Sequence, residues 1–478
     1  MALTINSQTT QFTILRNLSK LNQLQAQATE RLSTTKRINR ASDDPAGLIA
    51  VSQFNSELTG VDAALGNAQR ANSMLDTAGG ALTEISSLLS SISTLVAQSG
   101  SASTLTAAEK AANQMQIDSA IDAIDRIVRT TTFNGQRLLD GSYAIGTSMS
   151  TADAAKIGDV RVYSRPSEVT SGTLSISVSA AATQASTSET GWIDMAGSNA
   201  TLSAATTLTI SGKLGSETIT IASGSDQDDV IDAINAVSDQ TGVVAAASAT
   251  TATAIKLTSS DYGESAFVSV SVLSGDADFV GGGNVSKTTG TDATVTVNGS
   301  AAMVDGVNVN WSGNGYSVSF TLADNTTGTR TINVADGGAT FQLGTDANSR
   351  ATLGIASLNS HVIGEAGTGY LSDLKSGGEH DLATDPAGAA RIISKAVVQV
   401  AQIAARIGGF QKYQVQSTVN ALTAAKEGLT DARSAIEDAD IAEEMSNLSR
   451  YRLLSETSMN LLAMVNSQSN AMLSLLLQ

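Results

Sequence analysis

Apolar residues change their spacing twice along this chain, and the changes divide it into three stretches. Near the start, Ile14, Leu18, Leu21, Gln25, Ala28, Leu32 and Thr35 alternate steps of four and three, which is a heptad seam. The spacing predicts an amphipathic helix over residues 1–40. The segment Arg37–Gly47 (RINRASDDPAG) breaks it, with Arg37, Asn39, Asp43, Asp44 and Pro45 as the residues of the break. Ser42, Asp43 and Asp44 are helix N-cap types and Pro45 suits a first turn, so a second helix starts near Pro45.

That second helix has the longest seam. Val51, Phe54, Leu58, Val61, Leu65, Ala68, Asn72, Leu75, Ala78, Leu82, Ile85, Leu89, Ile92 and Val96 keep the alternation, with one slip between Leu75 and Ala78. At 1.5 Å per residue the rod measures roughly 70–80 Å. Asn72 either fixes the register of the seam or is a tolerated polar core residue. Thr106 and Glu109 form a capping-box pattern ahead of a third helix, with Gln114, Ile117, Ile121, Ile124 and Val128 on one face. Phe133-Asn134-Gly135 marks a turn.

Over residues 141–384 the period falls to two. The runs TLSISVS, TLTISG, ETITIAS, VSVSVL, TVTVNG, YSVSFTL and RTINV, separated by Gly, Asn and Asp, predict β-strands, with one short helix near Asp228–Val237. Helical spacing returns after Asp385-Pro386-Ala387-Gly388, which echoes Asp44-Pro45-Ala46-Gly47. Ile393, Val397, Val400, Ala404 and Ile407 begin a seam. Beyond Gly408-Gly409 it continues roughly through Thr418, Ala421, Ala425, Leu429, Ala432 and Ile436. Glu437, Asp438 and Asp440 then break the pattern before a terminal helix. In that helix Leu448, Leu454, Leu461, Leu462, Val465, Met472, Leu473 and Leu476 recur without Gly or Pro.

An apolar helix must bury its stripe against a partner. The first forty residues offer one matching seam, and the apolar residues of the last helix outnumber what one seam can cover. The expected fold is α+β and multidomain. The N- and C-terminal helices pair in a coiled-coil or bundle core, and a β-rich outer domain is inserted between them. Part of the terminal packing is intramolecular, through Ile14, Leu18, Leu21, Ala28, Leu32, Leu448, Leu454, Leu461, Leu462, Val465, Leu473 and Leu476, and other subunits supply the rest. The rod core is expected at Val51, Phe54, Leu58, Leu65, Asn72, Leu75, Leu82, Leu89, Ile393, Val397, Val400, Ile407, Leu429 and Ile436.

Composition narrows the function. The net charge is −17, which argues against a nucleic-acid partner. Residues 141–384 hold 9 of the 28 basic and 24 of the 45 acidic side chains, so the β stretch carries most of the acidity. There is no cysteine and there are two histidines, His361 and His380, which leaves little for nucleophilic, acid–base or metal chemistry. No cofactor and no enzymatic activity are expected. Asp226, Asp228 and Asp229 fit the polar start of the short helix better than a calcium loop, because Ile231 stands where such a loop needs Gly. Gly281-Gly282-Gly283 reads as a turn. The uncharged tail from Thr457 carries too many Ser, Asn and Gln residues to span a bilayer stably. The N-terminus lacks the basic and apolar regions of a cleaved signal peptide.

Several motifs resemble those of the bacterial flagellins. Glu30-Arg31-Leu32-Ser33-Thr34, Arg37-Ile38-Asn39 and Asp43-Asp44-Pro45-Ala46-Gly47 are similar to the family's N-terminal signature. Ile124-Asp125-Arg126, Thr132-Phe133-Asn134-Gly135 and Leu138-Leu139-Asp140-Gly141 are similar to the stretch that follows it. Ala432–Asp440 (ARSAIEDAD) and the terminal LSLLLQ resemble the C-terminal signature. The strands around Tyr262-Gly263-Glu264 resemble a repeat found inside many flagellins. Thr35 stands where the signature usually has Gly.

The resemblance implies a subunit that self-assembles into the helical homopolymer of the flagellar filament, the propeller for swimming. It implies an inner tube layer from 1–44 with 444–478, an outer layer from 45–178 with 338–443, and a surface domain at 179–337. It also implies an extracellular location after export without a cleaved signal. The partners would be the flagellar export apparatus, an export chaperone, and the cap and hook-associated proteins. Two other roles fit the same organisation: a hook–filament junction protein, or an adhesin carried by the outer domain. Ser90–Leu95 (SSISTL) and Gln116 occupy places where flagellins detected by an innate-immune receptor carry Arg and Glu. Receptor binding is therefore expected to be weak or absent, and tight binding by purified monomer would overturn that expectation.

Overall fold

A computed structural model describes residues 3–99, 106–166, 171–187, 192–194, 201–251, 253–275, 283–365 and 367–476, and the side chains of all of these except 3–8 and 468–476. Six long helices carry the ends: α1 (Leu3–Thr34), α2 (Pro45–Ser99), α3 (Ala107–Thr130), α4 (Pro386–Phe410), α5 (Ser417–Glu437) and α6 (Ile441–Leu476). Strands fill the middle. The chain divides into two compact units, residues 1–67 with 344–346 and 418–478, and residues 68–343 with 347–417.

In the first unit α1 pairs with α6. Helix α5 lies along the start of α2, where Lys426 pairs with Asp62 at 2.8 Å and Arg433 Nη1 donates to Asn55 Oδ1 at 3.1 Å. Val51, Leu58 and Val61 are buried, while Phe54, Leu65, Leu429 and Ile436 are half-buried. Ala421 and Ala425, expected in the α5 seam, are exposed. Leu422 and Lys426 are half-buried in their place, while Thr418, Leu429, Ala432 and Ile436 of the expected seam are half-buried as expected. Residues Gln411–Gln416 form a π-helical turn that continues α4 into α5.

In the second unit the later part of α2 keeps its stripe inside, with Leu75, Leu82, Ile85, Leu89 and Ile92 almost wholly buried. Among the described residues α2 is the one helix long and apolar enough to cross a membrane. Its stripe is covered within the protein, as a heptad seam requires. Asn72 is half-buried on this stripe, and its Oδ1 has no partner among the described residues. Helix α3 starts with the Thr106–Glu109 capping box and buries Gln114, Ile117, Ile121, Ile124 and Val128. Gln114 ties it to the 371–385 loop by donating to Leu374 O at 2.7 Å and accepting from Leu382 N at 2.9 Å. On α4, Ile393, Val400 and Ile407 are buried and Val397 is half-buried.

Two separate apolar cores lie in the β stretch. The first is a sandwich of two antiparallel sheets. One sheet runs in the order Ser300–Ala301, Thr294–Val297, Gly172–Ala180, Gly328–Gly337, Ile145–Ser148. The other runs Met303–Asp305, Asn308–Gly313, Tyr316–Leu322, Ile157–Ser164. Leu174, Ile176, Val295, Trp311, Val318, Phe320 and Ile332 fill the space between them. The second core is built on Gln184–Ser186, Ala254–Tyr262 and Val243–Ala247 facing Thr206–Gly212, Phe267–Ser274 and their neighbours, with Val230 and Ile234 of the short helix inserted.

The boundaries expected for the surface domain, 179–337, do not coincide with the division between these two cores. Position 178/179 falls inside the strand Gly172–Ala180, and Ala293–Val334 contributes to the first core with Ile145–Val178. Alternation reports which face a residue takes and not which distant strand it joins, so the sequence pattern could not separate the two cores. The short helix is Gln227–Asn235. Asp226 is its N-cap, accepting from Asp228 N at 3.1 Å and Asp229 N at 3.0 Å. Gly281 and Gly282 lie outside the described residues.

Candidate assembly surface on the paired terminal helices

Helices α1 and α6 run antiparallel. Arg31 Nη1 meets Glu444 Oε1 at 2.8 Å near one end of the pair, and Gln11 donates to Asn466 near the other. On α1, Ile14 and Ala28 are buried, and Leu18, Leu21, Gln25 and Leu32 are half-buried. Six of the seven expected seam positions therefore lie on one covered line of α1, while Thr35 is exposed and lies just beyond the end of the helix. On α6 the covered line is Glu444, Leu448, Tyr451, Ser455, Ser458, Leu462 and Val465, again in steps of four and three. Only three of these seven positions, Leu448, Leu462 and Val465, were expected from apolar spacing. Glu444 and Ser455 are buried polar residues that a search for apolar periodicity passes over.

Leu454 and Leu461 lie off this line and are 43% and 48% exposed. Ile441, Met445, Leu453, Met459 and Met464 are exposed as well, as are Phe12 and Leu15 on α1. Leu473 and Leu476 belong to α6, but their side chains lie outside the described residues. The pair therefore covers one narrow seam and leaves large apolar side chains around much of α6. A helix that is apolar on nearly every side is stable where every side is covered.

The two helix breaks meet in one clasp. Thr35 takes the left-handed backbone region, at φ 58. Its carbonyl accepts from Ala439 N at 3.0 Å, and Arg37 N donates to Glu437 O at 2.6 Å. These two bonds make a short antiparallel bridge between Lys36 and Asp438. The Arg37 side chain donates to Ile436 O from Nε at 3.2 Å and from Nη2 at 2.6 Å. That carbonyl is one of those a helix C-terminus leaves without an internal partner. Glu437 is buried, pairs with Lys36, and lies 3.7 Å from Arg433 Nε.

The N-terminal side of the clasp is closed by carboxylates. Asp43 Oδ2 accepts from Asn39 N at 3.1 Å and Arg40 N at 3.0 Å. The Arg40 N–H above all holds this carboxyl below its ordinary value; partial desolvation opposes it, and the Asn39 N–H and the charges of Arg31 and Arg40 assist. Asp44 caps α2 through Gly47 N at 2.9 Å. A Cβ on Gly47 would sit 2.5 Å from Asp44 Oδ2 and 2.6 Å from Ile38 Cδ1, so only glycine lets the buried Ile38 and the capping carboxylate close on the helix start. Pro45 opens α2 with no N–H to satisfy. On the other side Asp440 caps α6, accepting from Ala442 N at 2.9 Å and Glu443 N at 3.1 Å. Arg37, Asn39, Asp43, Asp44 and Pro45 thus stand together. Lys36, whose carbonyl accepts from Asn39, and Glu437, whose carbonyl accepts from Arg37 N, were legible only as charge near the breaks.

Comparison with known proteins gives three matched regions. The model described as "Bacterial flagellin N-terminal helical region" matches residues 5–144, "Bacterial flagellin C-terminal helical region" matches 390–476, and "Flagellin hook IN motif" matches 207–261. A flagellin of Clostridium tyrobutyricum is 29% identical over 457 residues, covering 95% of this chain and 97% of its own length. A flagellin of Salmonella rubislaw is 28% identical over 507 aligned positions, covering all of both chains. Among solved structures, FliC from Burkholderia pseudomallei is 14% identical with a TM-score of 0.28, over 73% of this chain and 99% of its own.

Proposed function

This chain belongs to the bacterial flagellin family and is a structural subunit of the flagellar filament, an extracellular appendage; from that premise we propose that the α1–α6 pair is the surface through which subunits join. The observation that carries the proposal is the apolar surface the pair leaves open, from Phe12 and Leu15 to Leu453, Leu454, Leu461 and Met464. Burying a leucine of this kind contributes about 1.5–3 kcal/mol. Neighbouring copies cover these residues, and contacts that do not close on themselves extend into a helical polymer. Residues 1–44 with 444–478 form the inner layer, the rods around α2, α4 and α5 form the outer layer, and the second β core forms the surface. The chain leaves the cell through the flagellar export apparatus with the help of a chaperone, and meets the cap and hook-associated proteins at the filament ends.

Deleting residues 449–478 tests the joining role. The shortened subunit is expected to give no filaments by electron microscopy at concentrations where the full chain polymerises. Filaments of normal length from the shortened chain would remove α6 from the assembly mechanism.

A further inference from the structure

The apolar interiors of the two β cores share no side chain among the described residues. Common burial therefore does not set the angle between the cores, which is left to the segments that connect them. The chain crosses twice. One crossing joins Gly172–Ala180 to Gln184–Ser186 and the other joins Val285–Thr289 to Thr294–Val297. The two crossings run antiparallel, with Ala180 opposite Thr294 and Thr183 opposite Thr291. Thr183 N donates to Thr291 O at 2.9 Å, and Thr291 N donates to Thr183 Oγ1 at 2.9 Å and to Thr183 O at 3.3 Å. A ribbon two strands wide twists and bends more easily than a full sheet, so by itself this connection is a hinge.

One carboxylate oxygen closes the hinge. Asp292 stands on the ribbon, and its Oδ1 accepts from Glu264 N at 2.9 Å and from Gly306 N at 2.8 Å. Glu264 belongs to the turn between Ala254–Tyr262 and Phe267–Ser274 of the second core. Gly306 belongs to the turn between Met303–Asp305 and Asn308–Gly313 of the first. Around this shared oxygen Gly263 N donates to Thr183 O at 3.0 Å and Ala293 N to Gly306 O at 3.2 Å. Ser265 Oγ donates to Asp305 Oδ1 at 3.1 Å, directly from one core to the other. The two turns meet backbone to backbone. A Cβ on Gly263 would lie 2.5 Å from both Asp292 Oδ1 and Gly306 Cα, and one on Gly306 would lie 2.5 Å from Tyr262 O. Both glycines are buried and take positive φ, 101 and 64, so a side chain at either would be strained as well as crowded. An ionised carboxylate is also a stronger acceptor than a carbonyl, which suits one atom holding two turns. We propose that Asp292 locks a hinge between the two β cores, and that Tyr262-Gly263-Glu264, one of the flagellin-like motifs of the sequence, is the half of the lock supplied by the second core. Locked, the cores move as one body; unlocked, the second core swings on the ribbon. This proposal concerns the two β cores alone and does not depend on the assembly reading.

The chain has no cysteine, so two introduced cysteines take spin labels at those positions alone. Glu217→Cys on the second core and Thr329→Cys on the first are both at exposed positions. Double electron–electron resonance on the labelled full-length monomer then reads the distance between the cores. A single narrow distribution is expected. Asp292→Ala should broaden it and speed amide exchange at Gly306 about tenfold or more, with protection in the strands of both cores unchanged. Gly306→Ala, which drives the turn away from Tyr262 O, should broaden the distribution too, and it decides the question if Asp292→Ala does not fold. A broad distribution in the labelled parent chain overturns the proposal, because the cores then swing with Asp292 in place. So does a distribution as narrow as the parent's in every variant that folds.

Discussion

Arg37 grips the carbonyl oxygen of Ile436 with two side-chain nitrogens, Nε at 3.2 Å and Nη2 at 2.6 Å, and so joins the N-terminal helix break to the end of α5. Replacing it by alanine leaves that carbonyl to solvent and removes a charge-assisted pair of bonds. Because Arg37 is exposed, the expected loss is about 1 kcal/mol in the chemical denaturation of the helical unit. Arg37→Lys should recover part of it, since an ammonium cannot reproduce the fork. Wild-type stability in Arg37→Ala would mean that the clasp is held by its backbone bridge alone.

Thr35 pays a backbone cost in the same clasp. A β-branched residue at φ 58 is strained, by roughly 1–2 kcal/mol relative to glycine. Thr35→Gly gives back part of this to the greater freedom of glycine in the unfolded chain, and it loses the bond from Thr35 Oγ1 to Thr34 O at 2.6 Å. The net expectation is a small rise in the unfolding midpoint for Thr35→Gly and a clear fall for Thr35→Val. The reverse order would show that the left-handed turn is not kept in solution.

Asp43 makes the clasp sensitive to acid. Its carboxyl is held below 3.8, so the charged form adds stability above that value, and the contribution is lost as pH falls through the folded-state value. Asp43→Asn should therefore be less stable than the wild type at pH 7, by well under 1 kcal/mol at a half-buried surface site that solvent screens. The difference should shrink toward zero as pH falls below 3.8. Denaturation curves for both proteins at neutral and acid pH read this directly, and a gap that widened in acid would contradict it.

Leu448 and Leu461 separate folding from joining. Leu448 is 8% exposed in the α1–α6 seam and Leu461 is 48% exposed outside it. Leu461→Ser, alone or with Leu454→Ser, should leave monomer unfolding within about 0.5 kcal/mol of wild type. It should raise the critical concentration for polymerisation about tenfold or more. Leu448→Ser should weaken both, with about 2 kcal/mol lost from the monomer if the unit melts cooperatively. Light scattering at matched subunit concentration reports polymerisation, and circular dichroism reports monomer unfolding.

Much of this architecture was legible because most seams use large apolar residues. The buried face of α3 coincides with the five positions its spacing marks, and the period-two runs all became strands. Helix α6 was harder to read. Apolar residues occur around most of its circumference, so spacing cannot tell the line that meets α1 from the line that meets solvent. The observed line also passes through Glu444, Ser455 and Ser458. On α5 the covered face takes Leu422 and Lys426 in place of Ala421 and Ala425, and no residue in QKYQVQ announces the π-helical turn at Gln411–Gln416. Strand partners in the two β cores depend on contacts far apart in the chain, which local alternation does not encode.

The terminal pair also sets the order of events as the chain folds. Arg31 and Glu444 stand 413 positions apart, and Gln11 and Asn466 stand 455 apart. Closing a flexible loop of that length costs about 5 kcal/mol in chain entropy before any contact rewards it. The helix caps at Asp44 and Asp226 each close over three residues or fewer, within reach of a chain that has only begun to order. The starts of α2 and of the short β-core helix can therefore nucleate early, and the α1–α6 contact forms late. A subunit caught partway has its rods begun and its two ends still searching for each other.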